Sequence, residues 1–370
     1  MQPRPLLLAR GTGPRTGRGR QGGLTLIEFM VSIVIGMLMV AALATLIADQ
    51  SSNRAEVDRS GRMIENGRYA IRAMAEDVQL AGYWGEVATA PDVPAAIPDP
   101  CSLAVADATA GMGMPVYGFN APIAAAVPGC VGTDQLPGTD ILVIRRADAD
   151  SSSLETTPSV PDMAKLAAAA GQLVIQTGIN TAANQNFDFR LNAASATGST
   201  NATMFPLVKK DLATLATIRK VLVRIYYISA CSVPVGSSCA GADGGSPIPT
   251  LKMKELAVTG GVLGWNTVTV AEGIENMQVD YGVDTDNDGA PDGVDVNGSS
   301  LDTAAKWANV MGVKIYLLAR STERSPGGPV DAKSFSLGTA GTIPAANDNY
   351  RRHVFLQSVR LVNPSARRTS

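Results

Sequence analysis

Five aspartates crowded into one turn could hold a metal ion. The run Asp284-Thr285-Asp286-Asn287-Asp288-Gly289-Ala290-Pro291-Asp292-Gly293-Val294-Asp295 puts acids at positions 1, 3, 5, 9 and 12, with glycine at 6. In a D-x-D-x-D-G turn alternate side chains converge on one point, and the glycine allows the sharp reversal. Calcium takes six to eight oxygens, which Asp284, Asp286, Asp288, Asp292, Asp295 and the Ala290 carbonyl could supply. Carboxylates this close repel one another without a counter-charge, which favours a cation. Against that, position 12 is Asp rather than the longer bidentate Glu, and no flanking helices are expected. The competing expectation is a solvated Asp/Gly turn joining two strands.

Glu28 is the second unusual carboxylate. It is the only charge in Leu24–Ala48, LTLIEFMVSIVIGMLMVAALATLIA. A lone carboxylate at bilayer depth costs about 2.5–3.5 kcal/mol even on lenient insertion scales, so it calls for a partner. Catalytic groups are scarce by comparison. His353 is the only histidine, on an expected strand between Arg352 and Val354, and G-x-S-x-G, H-E-x-x-H and Walker-type glycine loops do not occur. The strand arginines Arg224, Arg320 and Arg360 read as sheet-surface ion pairs. Enzymatic activity is not expected.

Four cysteines, Cys101, Cys130, Cys231 and Cys239, all follow the apolar stretch. An even count in an oxidising compartment suggests two disulfides. Sequence order favours Cys101–Cys130 and Cys231–Cys239, although three pairings are open. Zinc is the rival, but there is no C-x-x-C and a single histidine.

The elements that must carry these residues begin with a membrane span. Phe29–Ala48 is uncharged, and at ~1.5 Å rise per residue a helix of that length crosses about 30 Å, one hydrocarbon core. Before it, residues 1–23 hold Arg4, Arg10, Arg15, Arg18 and Arg20, no acid, and end in Gly22-Gly23. An Arg-rich flank stays cytoplasmic, and Asp49 after the span places the body on the far side. Without its leader the chain goes from a net charge of −2 to about −7, which argues against a nucleic-acid partner. An ordinary signal anchor is the plainer alternative. A secretory signal would have a shorter apolar core and an A-x-A-like site.

Residues 49–82 stay helical in character but become amphipathic. Val57, Ile64, Ile71 and Val78 recur every seven residues, with Met74 and Ala81 adding to the stripe, and charges including Asp77 fill the other positions. Gly61 and Gly67 cost about 1 kcal/mol each against Ala, which disfavours a coiled-coil dimer and softens the helix. Glycine punctuation in Leu80-Ala81-Gly82-Tyr83-Trp84-Gly85 ends it. Residues 86–139 and 148–220 show little periodicity, apart from short strands at Leu173–Gln176 and Phe187–Leu191 and a short helix around Met163–Ala170. Stronger strand signals lie at Asp140–Arg146, Lys220–Ser229, Thr267–Ala271 with Ile274–Tyr281, Val310–Ala319 and His353–Val362. No strand–helix alternation links them, so an antiparallel sheet packed on the N-terminal helix is expected.

A basic leader ending in glycine, followed by an apolar helix with Glu at its fifth position, resembles the class III signal of type IV prepilins and of secretion-system pseudopilins. Leu24 stands where the family usually has Phe. The C-terminal half is similar to PilW-type minor pilins in three places. Ala271–Asp284 looks like the strand before an Asp-rich loop, Trp307–Arg320 like the next strand, and Tyr350–Asn363 like the closing one, with Val362 where Arg is common. The LAGYWG stretch also fits, with Glu86 in place of a frequent Cys. The resemblance covers residues 20–85 and 265–363.

It implies an α+β, pilin-like fold: a long N-terminal helix, membrane half then amphipathic half, packed on an antiparallel β-sheet domain with long loops. Residues 1–23 are then a leader removed by prepilin peptidase between Gly23 and Leu24, 24–48 the transmembrane and fibre-core helix, 49–82 the amphipathic helix, and 83–370 a periplasmic β-rich domain. The new Leu24 amine would be methylated and would neutralise Glu28, in the same chain or a neighbour. The expected partners are other minor and major pilins, the peptidase, the inner-membrane assembly machinery and the lipid bilayer. Inner membrane and then pilus surface is the expected location. A type II secretion pseudopilin shares every N-terminal feature, and a non-polymerising anchored calcium-binding or adhesive domain is a third reading.

Overall fold

The structure, a computed structural model, describes residue 23 and residues 25–86, 91–157, 160–183, 186–236, 238–325 and 327–368. The leader up to Gly22, and Leu24, lie outside the described residues. Two compact units divide the chain, Met1–Glu56 and Val57–Ser370. Helix α1 spans Leu26–Gln79. Within the first unit its apolar side chains, from Leu26 through Ile47, are exposed. This stretch is long and apolar enough to cross a membrane.

Within the second unit α1 buries Met63, Gly67, Ala70, Ile71, Met74, Asp77 and Val78. Of the seven-residue stripe read from sequence, Ile71, Met74, Val78 and Ala81 are buried and Ile64 packs against the core. Val57 is 70% exposed, whereas Asp77, expected on the solvent face, is 3% exposed. Gly67 is a contact rather than a soft spot: a Cβ there would lie 2.1 Å from the Phe355 ring. After α1, Gly82 takes a positive φ of 70°, a left-handed turn that suits glycine, and its N–H bonds the Arg145 carbonyl at 3.0 Å.

The region after the helix is more ordered than its composition suggests. It contains helix α2 (Val105–Ala110) and strand β1 (Val116–Phe119), which pairs with β2 (Ile141–Ala147). Strands β3 (Glu155–Thr157) and β4 (Val160–Pro161) form a small ribbon before helix α3 (Met163–Ala168). Asp162 caps α3 by accepting from the N–H groups of Ala164 and Lys165. Strands β5 (Leu173–Asn180) and β6 (Asn186–Ala193) extend the two short runs read from sequence, and helix α4 (Gly198–Met204) follows. The long strand β7 (Ile218–Ser229) then organises a seven-stranded sheet. It pairs with β2, β5 and β8 (Thr250–Thr259), and β8 pairs with β9 (Val262–Glu272).

β8 had no strand signal. Its Lys, Met, Glu, Leu and Ala are good helix formers, and pairing on both sides overrides that preference. At Gly273, with φ 76°, the chain leaves this sheet for a second one. There β11 (Asp292–Asn297), β10 (Ile274–Val283), β12 (Val310–Arg320) and β15 (Arg352–Arg360) lie antiparallel in that order. Helix α5 (Ala304–Ala308) precedes β12, the pair β13 (Phe335–Ser336) and β14 (Thr342–Ile343) precedes β15, and helix α6 (Val362–Arg368) follows it. The single sheet expected from sequence is thus two. Their inner faces meet the α1 stripe in one core that joins Met74 and Val78 to Leu142, Tyr226, Met277 and Ile315.

Asp140 ties the sheets together. Its carboxylate accepts from Val279 and Ala121 N–H groups, both at 2.8 Å, and its own N–H donates to the Met277 carbonyl. Burial pushes its pKa up to about 6.

Candidate functional site

Three sites follow from the sequence: the start of α1, the Asp-rich turn, and the cysteines. At the first, Glu28 already has partners. Its Oε2 accepts from the Thr25 N–H and from Thr25 Oγ1, both at 2.9 Å, while Thr25 Oγ1 accepts from the Glu28 N–H at 3.3 Å. This reciprocal pair is a capping box: it satisfies the free N–H groups of a helix start and puts an acid at the positive end of the dipole. The T-x-x-E spacing was in the sequence and could have found it. Gly23 lies two residues before Thr25 and is exposed.

The Asp-rich turn brings together part of the expected set. Carboxylate oxygens of Asp284, Asp286 and Asp292 lie within 4.8 Å of one another. Asp292 Oδ2 accepts from the Thr285 N–H at 2.7 Å, and this bond leads the contacts that lower its pKa. Asp284 is fully buried. Burial alone would raise its pKa, but the Gly289 N–H at 3.0 Å and Arg368 Nη1 at 2.9 Å bring it below the usual carboxylate range. The other members go elsewhere. Asp288 accepts from the Ala290 N–H, and Asp295 lies on β11, where it pairs with Lys314. A twelve-residue loop ending in a position-12 ligand is therefore not what forms, because β10–β11 pairing takes residues 292–297 into the sheet.

The cation at Asp284 belongs to the chain itself. Arg368, at the end of α6, also donates to Asn287 Oδ1 at 3.0 Å, the Ala308 carbonyl at 3.1 Å and Asn309 Oδ1 at 2.5 Å. The same helix reaches the end of α1: Arg367 donates to the Gly82 carbonyl at 2.7 Å and Asn363 to the Ala81 carbonyl at 3.3 Å. Three carboxylates could still serve a calcium ion, but one of them would have to give up a guanidinium.

Among the cysteines, Cys101 pairs with Cys130 and Cys231 with Cys239, at Cα separations of 5.4 and 5.5 Å. His353 is exposed and stacks edge-on against Phe355. Arg320 lies over the Tyr350 ring at 4.0 Å, and Arg360 donates to the Gly289 carbonyl, so neither is a sheet-surface ion pair.

Arg224 belongs to a cluster that sequence reading missed. Asp77 on α1 accepts from Arg146 Nε at 2.9 Å, from Arg224 Nη1 at 2.8 and 2.9 Å, and from Tyr226 Oη at 2.7 Å. Arg224 Nε continues to Glu255 at 2.6 Å. Burial works against the Arg224 cation, yet the neighbouring carboxylates raise its pKa above that of a free guanidinium. Asp77 is thus the polar pin that fixes the outer part of α1 to β2 and β7.

Two family models match the chain. Residues 225–363 are similar to the type IV pilus-assembly protein W family, and residues 18–44 to the prokaryotic N-terminal methylation motif. The first begins inside β7, earlier than the sequence resemblance, and runs through the second sheet to the start of α6. The motif spans Gly23, Leu24 and Glu28. No curated protein matches the chain. Among solved structures, a type IV-like pilin from Thermus thermophilus is 17% identical, covering 39% of this chain and 79% of that one, with a TM-score of 0.18.

Proposed function

We propose, for a chain that its pilus-assembly domain and methylation motif make a PilW-type minor pilin acting in type IV pilus assembly, that it works through the start of α1. Prepilin peptidase cuts after Gly23, and Leu24 becomes a methylated N-terminus. The body then stands in the periplasm, and the exposed apolar surface of Leu26–Ile47 is covered first by lipid and then by the helices of other pilins. Major and minor pilins and the inner-membrane assembly machinery are the partners of that step.

The observation that carries this reading is the methylation-motif match over residues 18–44, laid on a helix whose apolar side chains find no cover in their own unit. Glu28 has two tasks. It caps α1 through Thr25, and its charge meets the Leu24 amine of the same or a neighbouring chain. Glu28→Gln separates them, because Gln also completes a capping box but carries no charge. In a strain lacking the wild-type copy, Glu28→Gln and Gly23→Ala should both leave membrane-retained protein and few pili. Normal piliation in both would overturn the proposal. For the Asp-rich turn, Asp284, Asp286 and Asp292 are the residues that would hold calcium, in competition with Arg368.

A further inference from the structure

The face of the seven-stranded sheet opposite α1 carries a row of polar groups. Cross-strand register aligns Tyr227 on β7 with Lys252 on β8 and Thr269 on β9, and Lys254 with Thr267 beside them. Alternation along β8 puts both lysines on this face and Met253 on the other, where it lines a cavity against α1 with Tyr226 and Asp77. The chain just after Cys130 and the loop closed by Cys231–Cys239 wall the row into a cleft of about 410 Å3. That volume falls in the range of small-molecule sites, roughly 300–1,000 Å3.

The groups in this cleft are incompletely satisfied. Tyr227 is fully buried, and among the described residues its Oη has no partner at good hydrogen-bond geometry, with the Asp134 carboxylate its nearest acceptor. Burial first, then Asp134, raises its pKa, so the phenol stays a donor. Lys252 is 3% exposed, and one of its three donors is taken, by Asp134 Oδ2 at 3.0 Å. Lys254 has a hydroxyl partner, Thr267 Oγ1 at 2.8 Å, and no ion pair among the described residues; burial lowers its pKa, and the more distant Asp134 acts against that. Ser232 on the rim is committed to Glu272. Lys252 is paired with Asp134, and Glu272 and Asp243 stand at the rim, so the group left for an incoming anion is Lys254, beside a buried phenol. An orphaned buried donor costs about 1–3 kcal/mol, which an incoming acceptor would remove.

We propose that this cleft binds an acidic sugar. Its carboxylate accepts from Lys254 and Tyr227, and its hydroxyls meet Thr267, Thr269 and the Asp134 carboxylate. A carboxylate alone would fill little of the space, and a neutral sugar would leave Lys254 without its counter-ion. The proposal does not depend on how α1 assembles.

The test uses the full chain in detergent, titrated calorimetrically with sodium glucuronate, glucose and sodium acetate in parallel. Glucuronate is expected to bind saturably and at least about tenfold more tightly than glucose or acetate, a gap of roughly 1.4 kcal/mol. Lys254→Gln should weaken glucuronate by about tenfold or more while leaving the melting temperature unchanged, since Lys254 is not in the core. Tyr227→Phe, which keeps the ring packing, should weaken it several-fold. No glucuronate binding, binding no tighter than that of glucose or acetate, or equal binding by wild type and Lys254→Gln would overturn the proposal.

Discussion

Asp77 shows how one charge can fix an element. It is a buried carboxylate with two guanidinium partners and a phenol, so removing it leaves Arg146 without an acid among the described residues and Arg224 with Glu255 alone. Breaking a buried pair by deleting one partner costs about 3–5 kcal/mol, and Asp77→Ala should lower unfolding stability by that order. Denaturant melts of the detergent-solubilised chain measure it, and a loss under about 1 kcal/mol would mean the cluster is ornamental. The position is not evident from sequence: Asp77 falls among the charges expected on the solvent face, although it stands three residues after Met74, a spacing that shares a helix face. Its partners were not legible, because Arg146 and Arg224 lie 69 and 147 positions away. Glu28 is the opposite case: its capping partner is three residues distant, and the T-x-x-E spacing states it.

Gly67 carries the contact between elements. Helix propensity says that Gly67→Ala should stabilise α1 by about 1 kcal/mol. The Phe355 ring says otherwise, since the new Cβ would meet it at 2.1 Å. Overpacking of this kind costs typically about 1–3 kcal/mol. Gly67→Ala is therefore expected to destabilise wild type and to stabilise a Phe355→Ala background, and a melting series of the four proteins reads the sign directly. Stabilisation in both backgrounds would remove the contact from the account.

The Asp-rich turn and α6 form another such junction, where Arg368 sits on the carboxylate a metal would need. Calcium at millimolar concentration, the range of extracellular modules with Kd about 10⁻⁴–10⁻³ M, should raise the melting temperature of Arg368→Gln more than that of wild type. No shift in either protein would rule calcium out. The turn was legible as a pattern of acids. That its last two members would be drawn into β11, and that a C-terminal guanidinium would meet its first, depended on distant pairing.

For the whole chain, local pattern and long-range packing divide the outcome. The apolar start of α1, β2, β10, β12 and most of β7 and β15 announce themselves through runs of apolar residues. β8 and α6 do not, because neighbouring strands set the one and side-chain contacts to Gly82 and Asp284 hold the other. The pilus-assembly match over 225–363 coincides with the part of the body where strand signals are strongest. Residues 86–139 and 148–220 have neither strong periodicity nor, for the most part, a family match, yet they supply β1, β5 and β6 to the large sheet.

The proposed function depends on the other end of the chain, on removal of the leader before α1 enters a fibre. Mass analysis of the N-terminal peptide, from protein purified out of native membranes, tests that step most directly. A peptide beginning at Leu24 with a methylated amine is the expected result. One that still carries Arg4 through Arg20 would contradict it.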